Sequence, residues 1–169
     1  YDRLERGPLQ WPCPTSDHPG TPILHRERFT RGKGKFHAVE FIPARELPDA
    51  QYPLLLSTGR LLQHFHTGSM SRRSAVLDVF VPHGAVEVHP QGAAKLGVSD
   101  GEPVTVESRR GQIEIAARVT ERVAPGSVFL SFHFGEAPAN RLTIAALDPV
   151  AKIPEFKVCA VRISSRAAR

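Results

Sequence analysis

The chain has 169 residues, 41% hydrophobic and 23% charged, which is ordinary for a globular protein and enough for one domain with a core of its own, with or without an arm. Its +5 charge comes from 22 basic residues, of which only Lys33, Lys35, Lys95, Lys152 and Lys157 are lysines; arginine's planar fork suits phosphate or carboxylate, so the balance points to an anionic ligand or partner. Two cysteines exclude a disulfide scaffold or zinc ribbon, and no apolar run approaches the about 20 residues of a membrane helix.

Residues 1–51 read as an extended arm that packs on a body. Gly7-Pro8, Trp11-Pro12-Cys13-Pro14 and His18-Pro19-Gly20-Thr21-Pro22 forbid long helices and central strands. The run Arg31-Gly32-Lys33-Gly34-Lys35 lacks the spacing of a phosphate-cradling P-loop. Alternation over 36–42 predicts one short strand. The chain begins with Tyr1 and shows no signal-peptide pattern, so it is expected to be a piece of a longer polypeptide.

From Tyr52 a barrel is predicted over 52–163, followed by a frayed tail at 164–169. Leu54-Leu55-Leu56 is a buried strand that spills into a polar, glycine-punctuated loop, Thr58 to Arg73. Residues 75–81 form a short helix or an extended segment. Strand 86–89 leads into a helix over 90–97, opened by Pro90 and stopped by Gly97. Residues 104–108 and 113–119 form a hairpin across Arg109-Arg110-Gly111, each strand with one buried face. Strand 128–132 spills into a second polar loop, His133 to Asn140. A short helix over 140–147 and a last strand over 158–163 complete six or seven short strands with two or three short helices, a mainly β fold closed as a barrel.

The opening loop carries the most chemistry. Arg60 can fork onto phosphate, Gly59 and Gly68 let backbone N–H groups approach a ligand, and Thr67, Ser69 and Ser71 add hydroxyls. His64 and His66, two apart, would share a face on a strand, but a third metal ligand is not evident, and a lone His-x-His is weak evidence of a metal. No G-x-S-x-G elbow marks a serine nucleophile. Anion recognition fits best, with a solvated structural loop as the competing reading.

Several separated motifs then occur in one order. Leu56-Ser57-Thr58-Gly59-Arg60 with His64-Phe65-His66-Thr67-Gly68-Ser69-Met70-Ser71-Arg72-Arg73 resembles the dinucleotide-binding loop of molybdopterin oxidoreductases. Phe132 to Thr143 is similar to that family's second ligand loop, and Leu147 to Val161 to the end of a formate dehydrogenase α subunit. The segment Leu9-Gln10-Trp11-Pro12-Cys13-Pro14 is similar to what precedes the domain in those enzymes. Between formate dehydrogenases and nitrate reductases the resemblance is less specific.

The resemblance implies a double-psi β-barrel that clamps a molybdopterin guanine dinucleotide, whose dithiolenes hold molybdenum or tungsten. Arg60, His64, His66 and Thr67 would line the pterin and phosphates, with Gly59 and Met70 shaping the loop. Asn140 would reach the cofactor from the second loop, and Phe156 and Lys157 from the last. The residues alone leave Asn140 open as a helix cap, Phe156 as core and Lys157 as solvated. The family's metal-ligating residue, its catalytic His and Arg and its iron–sulfur cysteines match nothing here, because they lie in upstream domains. The implied partners are those domains and electron-transfer subunits. The family's habit is cytoplasmic, with periplasmic members. The chain alone would not be catalytic. A basic barrel binding nucleic acid is the reading from another class; it needs a basic track and exposed sheet-face aromatics, and the aromatics here stand mostly in buried-looking contexts.

Overall fold

A computed structural model describes residues 1–165. The chain divides into two compact units, Tyr1–Phe41 and a second that begins at Ile42, so 42–51 stands with the barrel. In the first unit a single helical turn, α1 (Asp2–Glu5), is the one helix. The predicted strand over 36–42 does not form. Its alternation finds no partner strand among the described residues, and Phe36, Val39 and Phe41 are exposed.

The second unit contains β1 (Leu54–Gly59), α2 (Ala75–Phe80), β2 (Ala85–Val88), α3 (Pro90–Leu96), β3 (Pro103–Ser108), β4 (Gly111–Val119), β5 (Ser127–Ser131) and β6 (Cys159–Ser165). The strands close a barrel in the order β1-β5-β2-β4-β3-β6. Two pairs run parallel, β1 with β5 and β2 with β4, and the other neighbours are antiparallel. This is the double-psi β-barrel. Alternation puts one set of side chains inside: Leu54, Leu56, Val86, Val88, Val104, Val106, Ile113, Ile115, Val128, Leu130, Val161 and Ile163 are all buried.

Local chemistry fixes the elements that sequence placed well. At α3, Pro90 starts the helix, His89 Nδ1 accepts from Gln91 N–H, and Gly97 ends it at φ 65°. Three predictions need correction. β1 continues three residues beyond Leu56 because Ser57, Thr58 and Gly59 pair in parallel with Phe129, Leu130 and Ser131. β6 runs to Ser165, with Ser164 opposite Thr105 and Ser165 opposite Val104, so only 166–169 of the expected tail lie outside the described residues. The helix over 140–147 reduces to one 3-10 turn, Ala139–Arg141. The Leu142 carbonyl, which a helix would give to the N–H four residues on, instead accepts Nε and Nη2 of Arg110 at 3.0 and 2.8 Å.

The strand directions put one set of loops together. The C-termini of β1, β3 and β5 and the N-termini of β2, β4 and β6 all meet at the same end of the barrel. The loops after β1 and β5, the β3–β4 turn and the segment before β6 therefore share one rim.

Glu46 braces that rim from outside. Its carboxylate accepts from Arg109, Arg110 and the Ala160 N–H. Burial pushes its carboxyl pKa up, but the Arg110, Ala160 and Arg109 hydrogen bonds outweigh that and hold it below the usual range. A depressed carboxyl stabilises the fold above its unfolded pKa, and that contribution disappears as pH falls through the folded value. Glu46→Ala is therefore expected to destabilise the protein by about 1–3 kcal/mol at neutral pH and by less as pH falls below about 4. Urea unfolding at the two pH values checks this; equal losses at both would exclude the carboxylate as the cause. Cys159, under the same Arg110, is an inert core thiol: burial pushes its pKa up to about 11, against the pull of the arginine.

Candidate functional site: a loop grip at one rim of the barrel

The loop after β1 starts at Arg60, since Thr58 and Gly59 are strand. Thr58 faces the core, and its hydroxyl donates to the Phe156 carbonyl at 2.6 Å. Lys157 Nζ returns to the Thr58 carbonyl at 3.1 Å. These two bonds hold the segment before β6 against the end of β1. Gly59 has no room for a side chain, because a Cβ would lie 2.6 Å from the Phe129 ring.

From Arg60 onward the loop is wrapped on the end of β5. The Arg60 guanidinium lies 5.3 Å from the Phe132 ring centroid, and its Nη2 is 3.4 Å from His66 Nδ1. Phe132 meets Phe156 edge-on at 6.5 Å, so all three segments touch one aromatic. The Leu61 N–H donates to His133 Nε2 at 2.7 Å, and His133 Nδ1–H donates to the His66 carbonyl. Further along, Arg72 pairs with Glu136 at 2.8 Å and with Asp78 at 3.5 Å, and its guanidinium lies 5.0 Å from the Phe134 ring centroid. The Arg72 hydrogen bond is the main reason the Glu136 carboxyl sits below its ordinary pKa. The pair is partly exposed, so it contributes about 1 kcal/mol or less.

The two histidines do not share a face. His66 is exposed and takes a left-handed φ of 46°. His64 is buried and fully used within the protein. Phe65 N–H donates to Ser71 Oγ at 3.0 Å, the Ser71 hydroxyl reaches His64 Nδ1 at 3.2 Å, and His64 Nε2 bonds the Val81 carbonyl at 2.7 Å. An i, i+2 pair faces one way only on a strand, and this segment is loop. His64 holds the loop's inner turn and presents no free ring nitrogen to a ligand.

The other expected residues are placed as follows. Arg60, Thr67, Met70, Asn140 and Lys157 are exposed, Phe156 is half-buried and Gly59 is buried. Asn140 lies inside the 3-10 turn whose N-cap is Pro138, so it caps no helix. Its turn lies beside the β3–β4 hairpin on the same rim, with the Arg141 carbonyl 3.4 Å from where a Cβ on Gly111 would stand. Sequence reasoning missed His133, Phe132 and Ser131. The signal for them was a polar Ser-Phe-His closing an otherwise apolar strand.

An anionic, hydrogen-bond-rich ligand fits this rim. The Ser131 hydroxyl is buried with no hydrogen-bond partner among the described residues, an unmet bond at the rim end of β5. Gly68 at φ 74° leaves backbone space that a Cβ would fill, 2.9 Å from the His133 carbonyl. Arg60 enters no salt bridge among the described residues. No group of three or more His, Cys, Asp or Glu side chains suited to a metal ion occurs among the described residues.

Residues 54–160 match the family described as the molydopterin dinucleotide binding domain. The chain is 47% identical over 165 residues to the F420-dependent formate dehydrogenase 2 subunit alpha of Methanococcus maripaludis, covering 96% of this chain and 24% of that protein. It is 46% identical, with the same coverage, to the F420-dependent formate dehydrogenase subunit alpha of Methanocaldococcus jannaschii. It is 43% identical to the assimilatory nitrate reductase catalytic subunit of Bacillus subtilis, again over 96% of this chain and 24% of the relative. The chain thus spans about a quarter of the length of these relatives. Among solved structures, acetylene hydratase from Pelobacter acetylenicus shares the fold, with a TM-score of 0.60 at 18% identity over 68% of this chain and 18% of that one. The matched residues include both rim loops and the segment before β6, and the chain belongs to the molybdopterin-dinucleotide-binding domain family.

Proposed function

We propose that this chain is the cofactor-gripping domain of a formate dehydrogenase, holding the guanine form of the dinucleotide. The observation that carries the reading is the convergence of three loops on one rim, with Arg60, Phe132 and Phe156 in contact there. Arg60 and Thr67 face the pyrophosphate as fork and hydroxyl donor. His66 offers a ring nitrogen from the exposed shoulder. Gly59 and Met70 shape the loop on either side. Asn140 offers its amide from the second loop, and Phe156 with Lys157 closes the grip from the third. His64 supports this surface from behind, through Ser71 and Val81.

When bound, the cofactor supplies the metal centre at which formate loses two electrons and a proton to become carbon dioxide. This chain contributes position and charge complementarity, and the upstream domains contribute the iron–sulfur path by which electrons leave towards electron-transfer subunits. The family's habit supports a cytoplasmic enzyme, with the periplasm as the alternative. The preference for formate over nitrate rests on the identities of 47% and 46% against 43%.

The full-length polypeptide is expected to release about one guanine nucleotide per bound pterin on mild acid hydrolysis, and to reduce a viologen dye with formate. Release of cytosine nucleotide would overturn the guanine assignment. Nitrate turnover without formate oxidation would move the enzyme to the nitrate reductases.

A further inference from the structure

His133 is 1% exposed, yet both of its ring nitrogens are spent on the backbone of a different loop. Nε2 accepts from Leu61 N–H at 2.7 Å and Nδ1–H donates to the His66 carbonyl. Those two bonds admit one neutral tautomer, with its proton on Nδ1. The residue's own carbonyl lies where a Cβ on Gly68 would come within 2.9 Å. One residue therefore meets both shoulders of the loop, at Leu61 and at His66 to Gly68. Between those shoulders Leu62 and Phe65 are exposed while His64 turns inward and is buried, and on the second shoulder His66 and Thr67 are exposed. His66 holds a backbone conformation that residues with side chains rarely adopt, and its carbonyl is the one His133 holds.

We propose that His133 is the positioning residue of the grip: its neutral imidazole ties both shoulders of the loop to the end of β5 and so presents Arg60 to Thr67 to the dinucleotide in one conformation. The proposal rests on the ligand reading above. The groups facing the ring are Arg60, His64 and His66 from the loop and Phe132 and Phe134 from its own segment. Burial holds the His133 pKa below the ordinary imidazole value, with Arg60 and the neighbouring rings adding to it, against the opposing pull of the His66 carbonyl. A second ring proton would set Nε2–H against Leu61 N–H, donor against donor, and that bond would open. The unfolded imidazole binds its proton more readily than the folded one, so the latch is whole above about pH 6.5 and weakens as pH falls through the lowered value.

The test is amide hydrogen exchange on the cofactor-free full-length polypeptide, corrected for intrinsic rates, with wild type beside His133→Phe. Phenylalanine keeps the ring and removes both bonds. Exchange across 61–68 is expected to rise about tenfold or more in the variant, with strands β1 to β6 unchanged. Wild type is expected to show a step to faster exchange across 61–68 in acid that the variant lacks. Wild-type rates across 61–68 in His133→Phe, or the same acid step in both, would overturn the proposal and leave His133 as packing. If the variant does not fold, nitrogen-15 shifts of the wild-type ring decide: a proton on Nδ1 alone at neutral pH supports the latch, and an Nε2–H or charged ring overturns it. The ligand reading fails separately, since unchanged pterin content in Arg60→Ala would remove the dinucleotide while a fast loop in His133→Phe kept the latch.

Discussion

Arg60→Ala is expected to lower the pterin and metal content of the full-length enzyme about tenfold or more, with little change in the stability of the cofactor-free protein. The guanidinium is exposed and rests on the face of Phe132. It enters no salt bridge among the described residues, so removing it breaks no ion pair of the fold. Its charge is available to phosphate, where a charge-assisted hydrogen bond contributes about 1.5–3 kcal/mol, or about 10- to 100-fold in affinity. Arg60→Lys keeps the charge and loses the fork, so an intermediate loss is expected. Pterin fluorescence and metal analysis per polypeptide check the series. Wild-type content in Arg60→Ala would show that Arg60 does not hold the cofactor.

Gly68→Val is expected to abolish loading more completely than Arg60→Ala. Gly68 sits at φ 74°, where a β-branched residue is a genuine outlier. A Cβ there would stand 2.9 Å from the His133 carbonyl and 2.9 Å from Arg72 Cδ. The arginine side chain can move aside, but the carbonyl is backbone, two residues beyond β5. The loop must therefore leave its seat, at about 1–3 kcal/mol for the backbone strain alone and more for the contact. The barrel strands are far less affected, because Gly68 is outside every ladder. Circular dichroism should show an intact barrel in a protein that fails to retain pterin. Normal pterin content with an intact barrel would mean that the loop does not shape the site.

What could be read in the sequence was what local chemistry decides. Helix α3 was legible because Pro90 and Gly97 mark its ends. The β3–β4 hairpin was legible because both strands alternate around a short turn. What could not be read depends on partners distant in the chain. Ser57 to Gly59 look like a turn, and only parallel pairing with β5 makes them strand. Residues 36–42 alternate like a strand but find no partner strand among the described residues. Residues 140–147 look helical, but Arg110 takes the Leu142 carbonyl. The site followed the same rule. The Arg60 loop announced itself through its glycines and donors. His64 did not reveal that it is buried, because that depends on Ser71 and on Val81, 17 residues away. His133 is not legible in the sequence because its partners lie in a loop up to 72 residues earlier.

In the proposed function, the rim formed by the loop after β1, the loop after β5 and the segment before β6 grips a molybdopterin dinucleotide. Comparing hydrogen exchange of the full-length enzyme with and without its cofactor tests it most directly. Protection is expected on loading across 60–70, 132–142 and 156–158, with no change at the opposite end of the barrel, in α3 and the turn between β4 and β5. Protection confined to that opposite end, or no protection at the three rim segments of a fully loaded enzyme, would contradict it.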